Sequence, residues 1–175
     1  MGYLLINADW KHPKQLTPPW VKLLEGKKVH RVLPSTWLVA GPRASQVALL
    51  ERVVDAVRHG DTLVARHVDR EVRTEQGPWG PEPLPPAERT PGTPEQWLLA
   101  LETNGSGERF DAILDALNHL TQALGTGPCR RLTWTLMGFA MDVGAEPIIA
   151  FCGNYLGRGD KLILSRQFEP TAGSR

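Results

Sequence analysis

Cysteine is nearly absent from this chain of 175 residues. Its two cysteines, Cys129 and Cys152, exclude a disulfide scaffold and fit a reducing compartment. They combine with five scattered histidines into no zinc-ligand spacing. No apolar run reaches the roughly 18 residues of a membrane span. The N-terminus has no basic segment followed by a long apolar core, so no secretory signal is expected. Ile6 stands where myristoylation needs Ser or Thr. Charge of one sign is missing too. With 20 basic and 19 acidic residues the net charge is +1, which excludes a uniformly basic nucleic-acid clamp and leaves room for a local patch. The expectation is a globular cytoplasmic protein with no membrane partner.

Proline is plentiful and unevenly placed. Seven of the 15 prolines fall in residues 74–95, in GPWGPEPLPPAERTPGTPE. Proline lacks a backbone donor and fixes φ, so this stretch predicts an extended linker. It divides the chain into residues 1–73 and 96–170. In the first part the strand candidates are Tyr3–Asn7, Val29–Leu33, Thr36–Ala40 and Thr62–Val68. A helix is expected after Thr17-Pro18-Pro19, with Trp20, Leu23 and Leu24 on its buried stripe. A second opens at Ser45, with Val47, Leu50, Val53, Val54 and Val57 on one face.

The second part repeats this order. Trp97–Leu101 is a strand. Ser106 caps a helix whose stripe is Phe110, Ile113, Leu114, Leu117, Leu120 and Leu124. Arg131–Ala140 is one strand or a hairpin, Glu146–Tyr155 a weaker helix, and Lys161–Phe168 the last strand. Both parts read β-α-β-β-α-β, which predicts an α+β fold of two tandem ferredoxin-like units joined by the proline-rich linker. Their open sheet faces must cover each other or the units must join edge to edge. Three matches suggest duplication: Tyr3-Leu4-Leu5 with Trp97-Leu98-Leu99, Trp37 with Trp134, and His59–Val64 with Arg158–Ile163. Trp20, Trp37, Trp97 and Trp134 are expected in the core.

The stretch Tyr3-Leu4-Leu5-Ile6-Asn7-Ala8-Asp9-Trp10-Lys11-His12-Pro13, with Arg31-Val32-Leu33-Pro34-Ser35-Thr36-Trp37-Leu38-Val39 and Asp61-Thr62-Leu63-Val64, resembles the CRISPR-adaptation nuclease superfamily. Within it the nearest likeness is to Cas-two-like and VapD-like bacterial proteins. The resemblance covers residues 3–72. It implies a ferredoxin-like protomer that pairs about a two-fold axis and a role in prokaryotic antiviral defence or a toxin–antitoxin system. In the active members an Asp at the end of each first strand meets its twin, and the pair holds Mg²⁺ to orient water and neutralise phosphate charge. Asp9 is the matching catalytic and metal residue. The repeat alignment sets Thr103, beside Glu102 and Asn104, in the twin position, so the expectation is a weak or inactive nuclease. The glycine-rich run Gly153–Gly159 is similar to the loop of CRISPR repeat-associated RNA-binding proteins, which also carry two ferredoxin-like units.

Charge distribution points the same way. Residues 1–73 carry 12 Lys/Arg against 7 Asp/Glu. Lys11, His12 and Lys14 cluster beside Trp10, and Lys27, Lys28 and Arg31 form a second group. With Arg158 in the glycine-rich run, these are the candidate nucleic-acid contacts, Trp10 by stacking on a base. Their ordinary alternatives are a solvated basic face, a domain-edge tryptophan and a last turn. The expected function is a nucleic-acid-binding scaffold of low or no catalytic power. The alternatives are an Asp9-dependent endonuclease acting as a dimer, and an interaction module whose sheet edges recruit a protein or a second copy.

Overall fold

A computed structural model describes residues 2–10, 18–73, 91–104 and 107–167. The first half comprises β1 (Tyr3–Asp9), a 3₁₀ helix (Pro19–Leu24), β2 (Val29–Leu33), β3 (Thr36–Val39), α1 (Arg43–Ala56) and β4 (Thr62–Arg73). The second comprises β5 (Glu95–Glu102), α2 (Glu108–Ala123), β6 (Arg130–Arg131), β7 (Leu136–Met141), α3 (Ala145–Gly153) and β8 (Lys161–Gln167). The predicted order of elements is therefore present in both halves. Arg131–Ala140 resolves into a short hairpin. Most of the predicted linker, residues 74–90, lies outside the described residues, and so do Thr17 and Ser106.

All eight described strands belong to one antiparallel sheet, in the order β2-β3-β1-β4-β8-β5-β7-β6. Each half sets its first strand between its third and fourth, and the two arrangements meet at a seam between β4 and β8. The seam exists because β4 is longer than Thr62–Val68. Its first seven residues pair with β1, and from Val68 onward it pairs with β8, ending at Arg73 opposite Ile163. The apolar alternation stops at Val68 and Asp69-Arg70-Glu71-Val72-Arg73 is mostly charged, so hydrophobic pattern does not reveal the extension.

Side-chain alternation assigns three cores. Leu4, Ile6 and Ala8 of β1 pack with Trp20, Trp37 and Val53 beneath the first helices. Trp97, Leu99 and Leu101 of β5 pack with Phe110, Ile113, Leu117 and Ile148 beneath α2 and α3. Leu5, Leu38 and Val68 from one half meet Leu98, Ala100, Leu136 and Ile163 from the other. The continuous sheet thus folds over on itself, and the faces turned away from the helices bury each other. Both ways of satisfying the open faces, sheet against sheet and edge to edge, are used at once. No helix among the described residues is long and apolar enough to cross a membrane.

Three expectations need correction. Trp134 is not core: it lies between β6 and β7 and is 74% exposed. The stripe of α1 is buried only in part: Val53 is buried and Leu50 and Val57 pack against the first core, whereas Val54 is 54% exposed and Val47 40%. Gln46 of the same helix is also buried, and its Nε2 donates toward the carbonyls of Gly2, Val39 and Gly41. This amide ties α1 to the sheet beside its apolar contacts. The third correction is the repeat register. Asp9 lies opposite Thr62, and Glu102 lies opposite Lys161, the residue that corresponds to Thr62 in the closing strand. Glu102, not Thr103, is therefore the counterpart of Asp9. Matching Tyr3 to Trp97 shifts the alignment by one, because Trp97 packs under the helices whereas Tyr3 packs between the sheets.

Candidate functional site

The end of β1 meets the β6–β7 hairpin of the other half through a cluster of short polar side chains. Asn7 is fully buried. Its Nδ2 donates to Thr36 Oγ1 at 2.8 Å and to Thr135 Oγ1 at 3.1 Å. Its Oδ1 accepts from Thr133 Oγ1 at 2.5 Å. Ser35 and Thr135 share a hydroxyl bond of 2.8 Å. Two residues further on, past Ala8, the Trp134 backbone N–H donates to Asp9 Oδ2 at 2.6 Å. A buried amide must have partners, and here they come from β3 and from the β6–β7 hairpin, so the hairpin tip is held in one conformation.

Asp9 is thus built into a structural joint. Burial raises its pKa from the ordinary carboxylate value, and the Trp134 N–H and the Arg131 guanidinium oppose that rise without cancelling it. A raised folded-state pKa means that the ionised form is the costly one. The stabilising contribution is complete at acid pH and is lost as pH rises through the folded pKa. Asp9→Asn keeps an acceptor for Trp134 and removes the charge. At pH 7 its thermal midpoint is expected to equal or exceed that of the wild-type protein, with the gap closing as pH falls through the raised folded-state pKa and absent below about pH 4. A midpoint for Asp9→Asn several degrees below wild type at pH 7, measured by circular dichroism, contradicts this account.

The same geometry bears on Mg²⁺. Divalent magnesium needs clustered carboxylates with free lone pairs. Asp9 has one oxygen committed to a backbone N–H and a guanidinium nearby. Its counterpart Glu102 has Oε2 3.7 Å from Lys161 Nζ, in a surface depression that Arg31 and Pro34 also line. Among the described residues, no group of three or more His, Cys, Asp or Glu is arranged to hold a metal ion. The donor set does not fit Mg²⁺, because each of these two carboxylates has a protein cation beside it.

What the joint presents outward is Trp134. The Arg131 guanidinium lies 5.1 Å from its ring centroid and also covers Phe110 at 4.5 Å, while pairing with Asp111. An exposed indole beside a planar cation, on a tip fixed by buried hydrogen bonds, offers a rigid stacking surface.

The residues singled out from sequence that lie among the described ones fall on separate elements. Lys11, His12 and Lys14 lie outside the described residues. Trp10 packs edge-on against Trp20, with centroids 6.2 Å apart, and Trp20 packs in the same way on Trp37 at 6.0 Å. Trp10 thus continues an aromatic stack over the first core. Lys27 and Lys28 are exposed in the turn before β2, and Arg31 is exposed on β2, the outer strand at one end of the sheet. Arg31 lies 5.4 Å from the Trp37 ring centroid and donates to the Pro34 carbonyl. Arg158 is exposed in the turn before β8, in the middle of the strand order.

That glycine-rich turn is organised around Asp160. Asp160 accepts from the Asn104 N–H at 2.7 Å, the Gly157 N–H at 2.7 Å and Arg109 Nη1 at 2.8 Å. A Cβ on Gly157 would overlap the Arg109 guanidinium, so glycine here admits a protein cation rather than a phosphate. Asp61 occupies the matching place in the first half and accepts from Trp20 Nε1 at 3.3 Å. Burial pushes the thiols of Cys129 and Cys152 up to about 12, which removes them as nucleophiles.

Trp134 and Arg131 were legible only in part. Arg130-Arg131 followed by Thr133-Trp134-Thr135 interleaves basic and aromatic residues, which marks a binding surface as readily as a strand. Matching Trp134 to Trp37 hides that signal. No protein-family model matches this chain, and no curated protein matches it.

Proposed function

We propose that this protein is a non-catalytic nucleic-acid-binding scaffold built from two diverged ferredoxin-like units, of the kind that serves prokaryotic antiviral defence or toxin–antitoxin systems. The observation that carries the reading is the bond from the Trp134 N–H to Asp9 Oδ2. It engages the carboxylate that the resemblance marks for metal chemistry, and it props an exposed tryptophan beside Arg131. Stacking on Trp134 is tolerant of sequence, and the phosphates meet Arg131 at one end of the sheet and Lys27, Lys28 and Arg31 at the other. The likeness of residues 3–72 to the CRISPR-adaptation superfamily supports the same class of partner. Strand addition by a protein is less favoured, because one edge strand, β6, is only two residues long and both are arginine, a form that resists edge pairing.

Labelled single-stranded RNA and DNA, incubated with the protein in Mg²⁺, Mn²⁺ or EDTA, test this. Binding is expected without cleavage in any of the three, and Asp9→Ala is expected to behave as wild type in the cleavage assay. With these four phosphate contacts the log–log salt slope should be about −3. Metal-dependent cleavage lost in Asp9→Ala would establish the endonuclease instead. No binding at low salt would leave the protein-interaction reading.

A further inference from the structure

The two mouths of the folded sheet are not alike. At one mouth a cavity of about 370 Å³ opens between the halves. Its floor is the inner face of the second half, where Leu98, Leu132, Gly138 and Ala140 lie, and Arg66 reaches it from β4 of the first half. Arg130 stands on its rim, and Gln96, Gln167 and Thr126 supply amide and hydroxyl groups. Among the described residues, no acidic one lines it.

The pairing registers show what stands at the corresponding place in the first half. Gly138 lies opposite Leu98, and its counterpart opposite Leu5 is Leu38, which is fully buried. Arg66 lies opposite Leu5, and its counterpart opposite Leu98 is Ser165. Arg130 lies opposite Gly138, and its counterpart opposite Leu38 is His30. Thus where the first half has leucine, the second has glycine, which leaves room for Leu132 on the floor. Where the counterparts are Ser165 in the second half and His30 in the first, the cavity has two arginines. A Cβ on Gly138 would already meet Leu132 Cδ1 at 3.2 Å and Leu98 Cδ2 at 3.6 Å, so a larger side chain there would crowd the floor. Arg66 Nη1 donates to its neighbour's carbonyl, Ala65 O, and the described residues pair no carboxylate with Arg66 or Arg130.

We propose that this cleft binds the phosphate monoester of a nucleotide, either free or at the end of a strand. Two guanidiniums, with no carboxylate among the described lining residues, match a group that carries nearly two negative charges at neutral pH. The cavity is larger than inorganic phosphate needs and lies in the size range of small-ligand sites. Its apolar floor suits a base, and its amides suit a base edge. The site is separate from the Trp134 surface. Arg130 and Leu132 turn into the cleft, whereas Arg131, between them, turns to Phe110 and Trp134.

Isothermal titration of the full chain with AMP, adenosine and inorganic phosphate tests it. A pair of octanucleotides differing only in a 5′-phosphate distinguishes the sources. AMP is expected to bind at least about 10-fold tighter than adenosine, and the Arg66→Gln/Arg130→Gln double variant should abolish the difference. A 5′-phosphate preference in the octanucleotides assigns the site to strand ends, and preference for AMP alone assigns it to free nucleotides. Amide shifts in the wild-type protein give a reading independent of the variant's folding. AMP, and not adenosine, should move Thr126, Gly138 and Ala140. Equal binding of AMP and adenosine, a difference that survives the double variant, or shifts confined to other strands overturns the proposal. A protein that binds AMP in this way but no longer nucleic acid loses the scaffold reading and keeps this one. The converse result loses only the cleft.

Discussion

Replacing Asp160 by alanine is expected to lower the unfolding free energy by about 3 kcal/mol and the thermal midpoint by roughly 6–12 °C. Asp160 is buried, yet it ties three elements together: the end of β5 through Asn104, α2 through Arg109, and the turn before β8 through Gly157. Removing the carboxylate leaves two backbone N–H groups without their acceptor, and each such loss costs about 1–3 kcal/mol. Arg109 is half exposed and rehydrates, so the total falls short of that for a fully buried ion pair. Burial by itself would raise the pKa of this carboxyl, but the two N–H groups and Arg109 outweigh it and hold it below its ordinary value. A depressed folded-state pKa contributes stability above the unfolded-state value, and that stability is lost as pH falls through the folded one. The gap between wild type and Asp160→Ala should therefore be constant near neutrality and narrow below about pH 4. Urea denaturation at pH 7 and pH 3 measures it. A gap under 1 kcal/mol at pH 7, or one that does not shrink at pH 3, contradicts the structural role given to Asp160.

Trp134→Ala should weaken binding of single-stranded nucleic acid by about 10- to 100-fold, since loss of one base-stacking platform costs about 1–3 kcal/mol. Its stability should stay within about 1 kcal/mol of wild type, because the indole is largely exposed and the backbone N–H to Asp9 is retained. Trp134→Phe should recover part of the affinity. The salt slope should be unchanged in Trp134→Ala and shallower in Arg131→Ala, because only the arginine displaces counterions. Fluorescence anisotropy with a labelled oligonucleotide over a salt series separates the two. Full affinity in Trp134→Ala would remove the hairpin tip from the interface.

Local structure was largely readable from the chain. The periodicity of Phe110, Ile113 and Leu117 predicts α2, which buries those three together with Thr121. Pro18-Pro19 marks the start of the short helix that carries Trp20. The apolar alternation of β1 and β5 is plain because each has one face under helices and the other in the core between the sheets. Prediction misses the polar contacts that accompany the apolar ones. Gln46 adds a polar anchor to α1 beside Val53, and Asn7 with its threonine partners joins the halves alongside the leucine-rich core between the sheets.

Residue order alone therefore settles which segments become strands and helices, since propensity and period act over a few residues. It also sets the two halves in the same sequence of elements. Which residue faces which across the molecule is decided only on folding. The partner switch of β4 at Val68, the pairing of Glu102 rather than Thr103 with the position of Asp9, and the meeting of Asp9 with the backbone of Trp134 all depend on hydrogen-bond registers between distant strands. A shift of one residue in those registers leaves composition and spacing untouched and reverses every side chain, so only the assembled sheet distinguishes a metal carboxylate from a structural one.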